Sequence, residues 1–249
     1  MEIFSSLSRD SKHLAILIDP DKCYQVQLSK FSNYAQQGWV HLFLIGGSLL
    51  FKNKVKEIVD YLKQHSNVPV IIFPGNPSQI YEGADGLFLL SLISGRNADL
   101  LIGRHVEAAP MIKQSGLEVI PTGYILIDGG KATSVSYMSN TTPIPSDKPD
   151  IAVATAIAGE LLGLKAIYLE AGSGAKNPVS AETIQRVSNS VDIPIIVGGG
   201  IRSVEQVEKA FESGAQIVVI GTAVEQDPEF IASIGISMKK LSLNIYNES

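Results

Sequence analysis

Glu170 closes an apolar run and heads a glycine-rich turn, in the stretch Tyr168-Leu169-Glu170-Ala171-Gly172-Ser173-Gly174-Ala175. The arrangement returns twice downstream without a carboxylate. Ile193 to Val197 runs into Gly198-Gly199-Gly200-Ile201-Arg202, and Ile217 to Ile220 runs into Gly221-Thr222-Ala223. Glycines in such turns allow positive φ and expose backbone N–H groups at helix starts, which binds a phosphate without spending a basic side chain. Three such loops point to one anion site. A carboxylate beside a phosphate is repelled by it, so Glu170 needs a chemical reason to be there, and proton abstraction from a phosphorylated substrate supplies one.

Two further oxygen donors fall where strands end. Asp19 follows the run Leu14 to Ile18 and begins Asp19-Pro20-Asp21-Lys22; Ser48 follows Val40 to Ile45 in Gly46-Gly47-Ser48. On residue type alone, Asp19 reads equally as a turn former or as a hard ligand for Mg²⁺, which takes one or two carboxylates and completes its shell with water and substrate oxygens. Its place at a strand end favours the ligand. Ser48 reads as a second donor to the same ion or as a helix N-cap. Lys22, Arg96 and Lys131 are cations on loops at the same end, suited to a leaving diphosphate or simply to solvent. His13, His41, His65 and His105 fall at strand beginnings or on helices and read as surface or packing residues. Neither a His/Cys metal cluster nor a G-x-S-x-G elbow is present.

These residues must be positioned by the elements that precede them. Apolar runs at Leu14–Ile18, Val40–Ile45, Val68–Phe73, Gly86–Leu90, Leu117–Ile127, Ala166–Leu169, Ile193–Val197 and Ile217–Ile220 read as eight strands. Helical periodicity separates most of them, at Gln25–Gly38, Val55–His65, Asp99–Ser115, Ile151–Leu162, Ala181–Ser190 and Ser203–Ser213. Between strands three and four only Pro77–Tyr81 is available, so the third helix is expected to be missing or abbreviated. Pro110 is expected to kink or split its helix, and Pro121 with Gly123 to bend or bulge strand five. Ser136–Pro149 reads as the longest flexible loop. Strands that do not alternate in polarity call for a parallel sheet covered on its outside, and no G-x-G-x-x-G opens the chain, so a single (β/α)₈ barrel over residues 1–249 is preferred to a doubly wound sheet. Every motif above then lies at the C-terminal face of the barrel, where such folds carry their chemistry.

With 249 residues and 45% hydrophobic content the chain can bury a full core, and its formal charge of −5 lacks the basic footprint of a nucleic-acid binder. The lone Cys23 cannot form an internal disulfide, and Met1 to Lys12 lacks a signal-peptide core. A cytoplasmic protein is expected, with any membrane contact peripheral.

Taken together, Asp19-Pro20-Asp21-Lys22, Gly46-Gly47-Ser48, Phe73-Pro74-Gly75-Asn76, Tyr168 through Gly174, Val197 through Arg202 and Gly221-Thr222-Ala223 closely resemble the geranylgeranylglyceryl phosphate synthases, in order and over nearly the whole chain. The resemblance implies transfer of a geranylgeranyl group from its diphosphate to the sn-3 hydroxyl of sn-glycerol 1-phosphate, by a homo-oligomeric barrel. It implies Mg²⁺ on Asp19 and Ser48, and a glycerol phosphate site made of Tyr168, Leu169, Glu170, Ala171, Gly172, Ser173, Gly174, Gly199, Gly200, Gly221 and Thr222. Heptaprenyl-using relatives commonly carry a lysine two residues before the metal aspartate, where this chain has Leu17. That favours the archaeal-like branch, which has bacterial members, over the heptaprenyl alternative. Two readings from other classes are a phosphosugar isomerase using Asp19 and Asp128 as acid and base, and a non-catalytic phosphometabolite sensor.

Overall fold

Short runs of Ile, Val and Leu form parallel strands because β-branched side chains pack well on a pleated sheet covered on both faces. The computed structural model describes Ile3 and residues 11–247, with side chains to residue 239. Its strands are β1 (His13–Ile18), β2 (Leu42–Ile45), β3 (Val70–Ile72), β4 (Gly86–Leu92), β5 (Glu118–Leu126), β6 (Ala166–Glu170), β7 (Ile195–Gly198) and β8 (Ile217–Ile220). They close into a parallel barrel in sequence order, β8 returning to β1 with Ala15 opposite Val219. The expected (β/α)₈ architecture is therefore present. Outer helices are α1 (Gln25–Gln36), α2 (Val55–His65), α3 (Arg104–Ser115), α4 (Ser134–Ser139), α5 (Pro149–Leu161), α6 (Ala181–Ser188), α7 (Val204–Glu212), α8 (Thr222–Gln226) and α9 (Phe230–Asn247). Between β3 and β4 stands only a 3₁₀ turn, Pro77–Gln79, as the weak periodicity there anticipates.

The period-two pleat sorts side chains into two cores. Leu14, Ile16 and Phe43 face the helices, whereas Ala15, Leu42, Leu44 and Tyr168 fill the barrel. The same parity carries the chemistry. Asp19 continues the inward series of Ala15 and Leu17, and Glu170 sits two residues beyond inward-facing Tyr168, so both carboxylates point to the barrel axis at its C-terminal mouth.

Three local expectations need correction. The register of β5 runs unbroken through Pro121 and Gly123 against β4 and through Gly123 against β6, so there is no bulge. Pro121 costs nothing because β5–β6 pairing begins at Thr122, and its carbonyl still accepts from Lys165 N at 2.7 Å. Ser136–Pro149 is not one loop. Helix α4 occupies its start, Thr133 N is capped by Ser136 Oγ at 3.0 Å, and Ile144 pairs with Ile127. Helix α3 runs through the exposed Pro110 without being split there; a π-helical turn at Asp99–Gly103 precedes it.

Candidate active site at the barrel mouth

A cavity of about 870 Å³ opens at the C-terminal ends of the strands. Its polar half is walled by Asp19, Ser48, Glu170, Ser173, Gly174, Gly199, Gly200, Gly221 and Thr222. Its apolar half continues past Leu87, Leu89, Leu92 and Leu100 to Ala108 and Ile112 of α3. The structure thus gathers most of the residues singled out from sequence around one space. Tyr168, Leu169, Ala171 and Gly172 are buried behind that wall and support it. Leu169 and Ala171 pack toward the helices, and Tyr168 lies inside the barrel.

Glu170 is 5% exposed. Its Oε1 accepts the Gly172 amide at 2.5 Å, which fixes one oxygen within its own loop. Gly199, at φ +82°, passes directly against the same Oε1, where a Cβ would collide with it. Below lies an aromatic floor: Tyr124 and Tyr168 stack with centroids 5.2 Å apart, and Phe73 leans on Tyr168 at 5.2 Å. Burial pushes the Glu170 carboxyl up to about 7, against the opposing pull of the Gly172 amide and the two tyrosine hydroxyls. The Tyr168 hydroxyl lies near enough to act on that charge yet makes no hydrogen bond of regular geometry. Burial and the Glu170 charge raise both phenols well above their ordinary value, so they stay neutral. A carboxylate balanced near neutral pH in a closed site is suited to taking and releasing a proton.

The glycine loops are braced from outside. Ser173 Oγ meets Thr222 Oγ1 at 3.1 Å, joining the loops after β6 and β8. Arg202 donates to Ala175 O at 2.5 Å, Gly200 O at 3.1 Å and Lys176 O at 3.3 Å, tying the loop after β7 to the loop after β6. On the other side Gln79, 1% exposed, donates to Gly47 O at 2.7 Å and accepts from Gly75 N at 3.1 Å. It clamps the loops after β2 and β3 where a full third helix would otherwise stand. Neither brace carries a sequence signal of its own beyond a polar residue beside glycines. Tyr124 was equally silent, being one aromatic in an apolar strand.

Asp19 is the candidate metal ligand. Its Oδ1 accepts Asp21 N at 3.0 Å and its Oδ2 meets Lys22 Nζ at 2.7 Å, with Gly47 packed beside the carboxylate. Glu225 faces the same ammonium; burial holds its carboxyl above the ordinary value, opposed by Lys22 and reinforced by the Asp19 charge. Among the described residues no group of three or more His, Cys, Asp or Glu converges. Asp19 and Ser48 both line the cavity, and their oxygens are of the hard type that suits a cation such as Mg²⁺. Arg96, Lys131 and Asp128 are placed on exposed loop positions at this end. His105 Nε2 donates to Leu90 O at 2.9 Å beside the cavity, while the His13 and His41 rings meet edge-on at the opposite end.

A model of the PcrB family matches residues 7–237. The chain belongs to the PcrB family. Its PcrB relatives include geranylgeranylglyceryl phosphate synthases of Spirosoma linguale, 49% identical over 94% of each chain, and of Korarchaeum cryptofilum, 39% identical over 89% of this chain and 91% of the other. The (S)-3-O-geranylgeranylglyceryl phosphate synthase of Thermoplasma acidophilum, solved with sn-glycerol-1-phosphate, superimposes with a TM-score of 0.89 at 30% identity over 96% of this chain and 99% of that one. The resemblance read from the motifs, to geranylgeranylglyceryl phosphate synthases, is borne out, and the relatives that carry that name are both bacterial and archaeal.

Proposed function

We propose that this chain is an Mg²⁺-dependent prenyltransferase that joins sn-glycerol 1-phosphate to a long prenyl diphosphate, geranylgeranyl diphosphate first, with release of diphosphate. One observation carries the reading: a buried carboxyl held near 7 sits where three glycine loops meet a long apolar cavity. The loops take the phosphate of the acceptor through backbone N–H groups. The apolar half takes the prenyl chain. Glu170 receives the proton of the sn-3 hydroxyl as its oxygen bonds to the allylic carbon and the bond from that carbon to the diphosphate oxygen breaks. Asp19 and Ser48 would hold Mg²⁺, which when bound supplies neutralisation of charge on the leaving diphosphate. An isomerase would have no use for the apolar half, and a sensor none for a near-neutral buried base.

Purified protein given Mg²⁺, sn-glycerol 1-phosphate and a ladder of prenyl diphosphates tests this directly. Ether product with the twenty-carbon donor preferred is the expected outcome; turnover of an aminoaldose phosphate without divalent metal would replace the reading with the isomerase. Arg202→Met should raise KM for glycerol phosphate by about tenfold, the scale of a lost charged hydrogen-bond brace, with kcat within a few-fold. Equal loss in kcat would place Arg202 in the transition state instead.

The reading includes a cytoplasmic homo-oligomer. Among the described residues no helix is long and apolar enough to cross a membrane. Ile102 in the π-helical turn, Val106 and Met111 on α3, and Ile151 and Leu161 on α5 leave apolar side chains exposed on the outside of the barrel. Light scattering is expected to give at least twice the 26.7 kDa chain mass; a constant monomer mass across concentrations would contradict it.

A further inference from the structure

A second group of exposed apolar side chains is concentrated at the cavity mouth: Tyr24, Val26, Leu49, Phe51, Tyr137 and Met138. Phe51 is 86% exposed and Tyr137 84%. They come from the loop and first helical turn after β1, from the loop after β2 and from the short helix α4 after β5, all on the C-terminal face. Phe51 is held outward by a fastened backbone, since the Asp21 carboxylate accepts both Phe51 N and Lys52 N, and Asn53 Nδ2 donates to Ser78 O at 3.1 Å. Lys52 and Lys54 follow it in the chain; both act on the Asp21 charge, yet neither makes a contact ion pair among the described residues. An aromatic tip followed by lysines is the composition that rests in the headgroup layer of an anionic bilayer. Leu49, Phe51 and Met138 also border the cavity, so the apolar rim is continuous with the apolar interior.

We propose that the mouth of the cavity docks on an anionic lipid bilayer, with Phe51 and Tyr137 at headgroup depth and Lys52 and Lys54 on lipid phosphates. The inference rests on the prenyl-transfer reading of the cavity. A long prenyl chain resides in a membrane at a gain of about 0.8 kcal/mol per CH₂, so a mouth that meets the bilayer lets the chain pass between two apolar phases without crossing water.

Flotation of the full chain with vesicles tests the docking. It should float with mixed phosphatidylcholine and phosphatidylglycerol vesicles and weakly with phosphatidylcholine alone. Phe51→Ser and, separately, Tyr137→Ser should weaken binding at least about tenfold. Lys52→Gln and Lys54→Gln should each weaken it about fivefold at low salt. Turnover of a short, water-soluble prenyl diphosphate is measured without vesicles in parallel. If that turnover is present but the parent does not float, or if both aromatic variants float as the parent does, the docking is refuted and the prenyl-transfer reading stands. Absence of turnover with every donor would remove that reading whatever the flotation gives. A fall in light-scattering mass on Phe51→Ser would make the rim a contact between copies and also overturn the docking.

Discussion

Glu170→Gln is expected to lose about 10²- to 10⁴-fold in turnover while binding sn-glycerol 1-phosphate at least as tightly as the parent. Glutamine keeps the shape and can still accept the Gly172 amide, so the loop should hold, but it cannot take the proton. Burial, not the substrate phosphate, already raises this carboxyl to about 7. In the parent, kcat/KM should therefore climb with pH to a plateau above about 7 as the base ionises. Stability should move the opposite way. The folded-state value of about 7 lies above the ordinary 4.5, so Glu170 favours folding equally at all pH below 4.5 and its contribution is lost as pH rises through 7. On the alkaline side the cost approaches roughly 3 kcal/mol, and the Gln variant escapes it. Thermal melts at pH 5 and pH 8 should show the variant gaining on the parent only at the higher pH. Turnover within a few-fold of the parent at saturating Mg²⁺ would assign proton transfer to another group.

Asp19→Asn is expected to remove Mg²⁺-dependent turnover, by about 10³-fold or more, because several kcal/mol of charge stabilisation at the leaving group is lost with the carboxylate. The residue is well placed for so local an effect. Its side chain is 18% exposed, its Oδ1 stays on the Asp21 amide, and the glycine loops that would hold glycerol phosphate lie on other strands. Calorimetry should show acceptor binding within a few-fold of the parent. Parental rates in Asp19→Asn at ordinary Mg²⁺ would take Asp19 out of the metal site.

Much of this molecule is determined by local sequence. The eight apolar runs, the glycine loops behind three of them, and the missing third helix are consequences of periodicity and of where glycine and proline fall, and these act within a few residues. Helix α2 spans Val55–His65 as its spacing requires, since its apolar stripe is unambiguous. The mouth positions of Asp19 and Glu170 also follow locally, from strand-end placement and the parity of the pleat.

What only the closed barrel decides is how distant segments meet. The absence of a bulge at Pro121 depends on where β6 begins to pair, which is a property of the neighbour. Helix α4 is six residues held by a cap and by the Ile127–Ile144 bridge, too short to announce itself by period. Gln79 becomes a clamp only when the loops after β2 and β3 converge on it, and Arg202 a brace only when the carbonyls of Ala175 and Gly200 are turned toward it. The near-neutral carboxyl of Glu170 belongs to this class as well: the residue is written in the sequence, but its burial comes from Gly199 closing over it and the Phe73, Tyr124 and Tyr168 rings beneath, contributed by four different strands and loops. Desolvation is set by everything packed around a group, so no single stretch of chain encodes it.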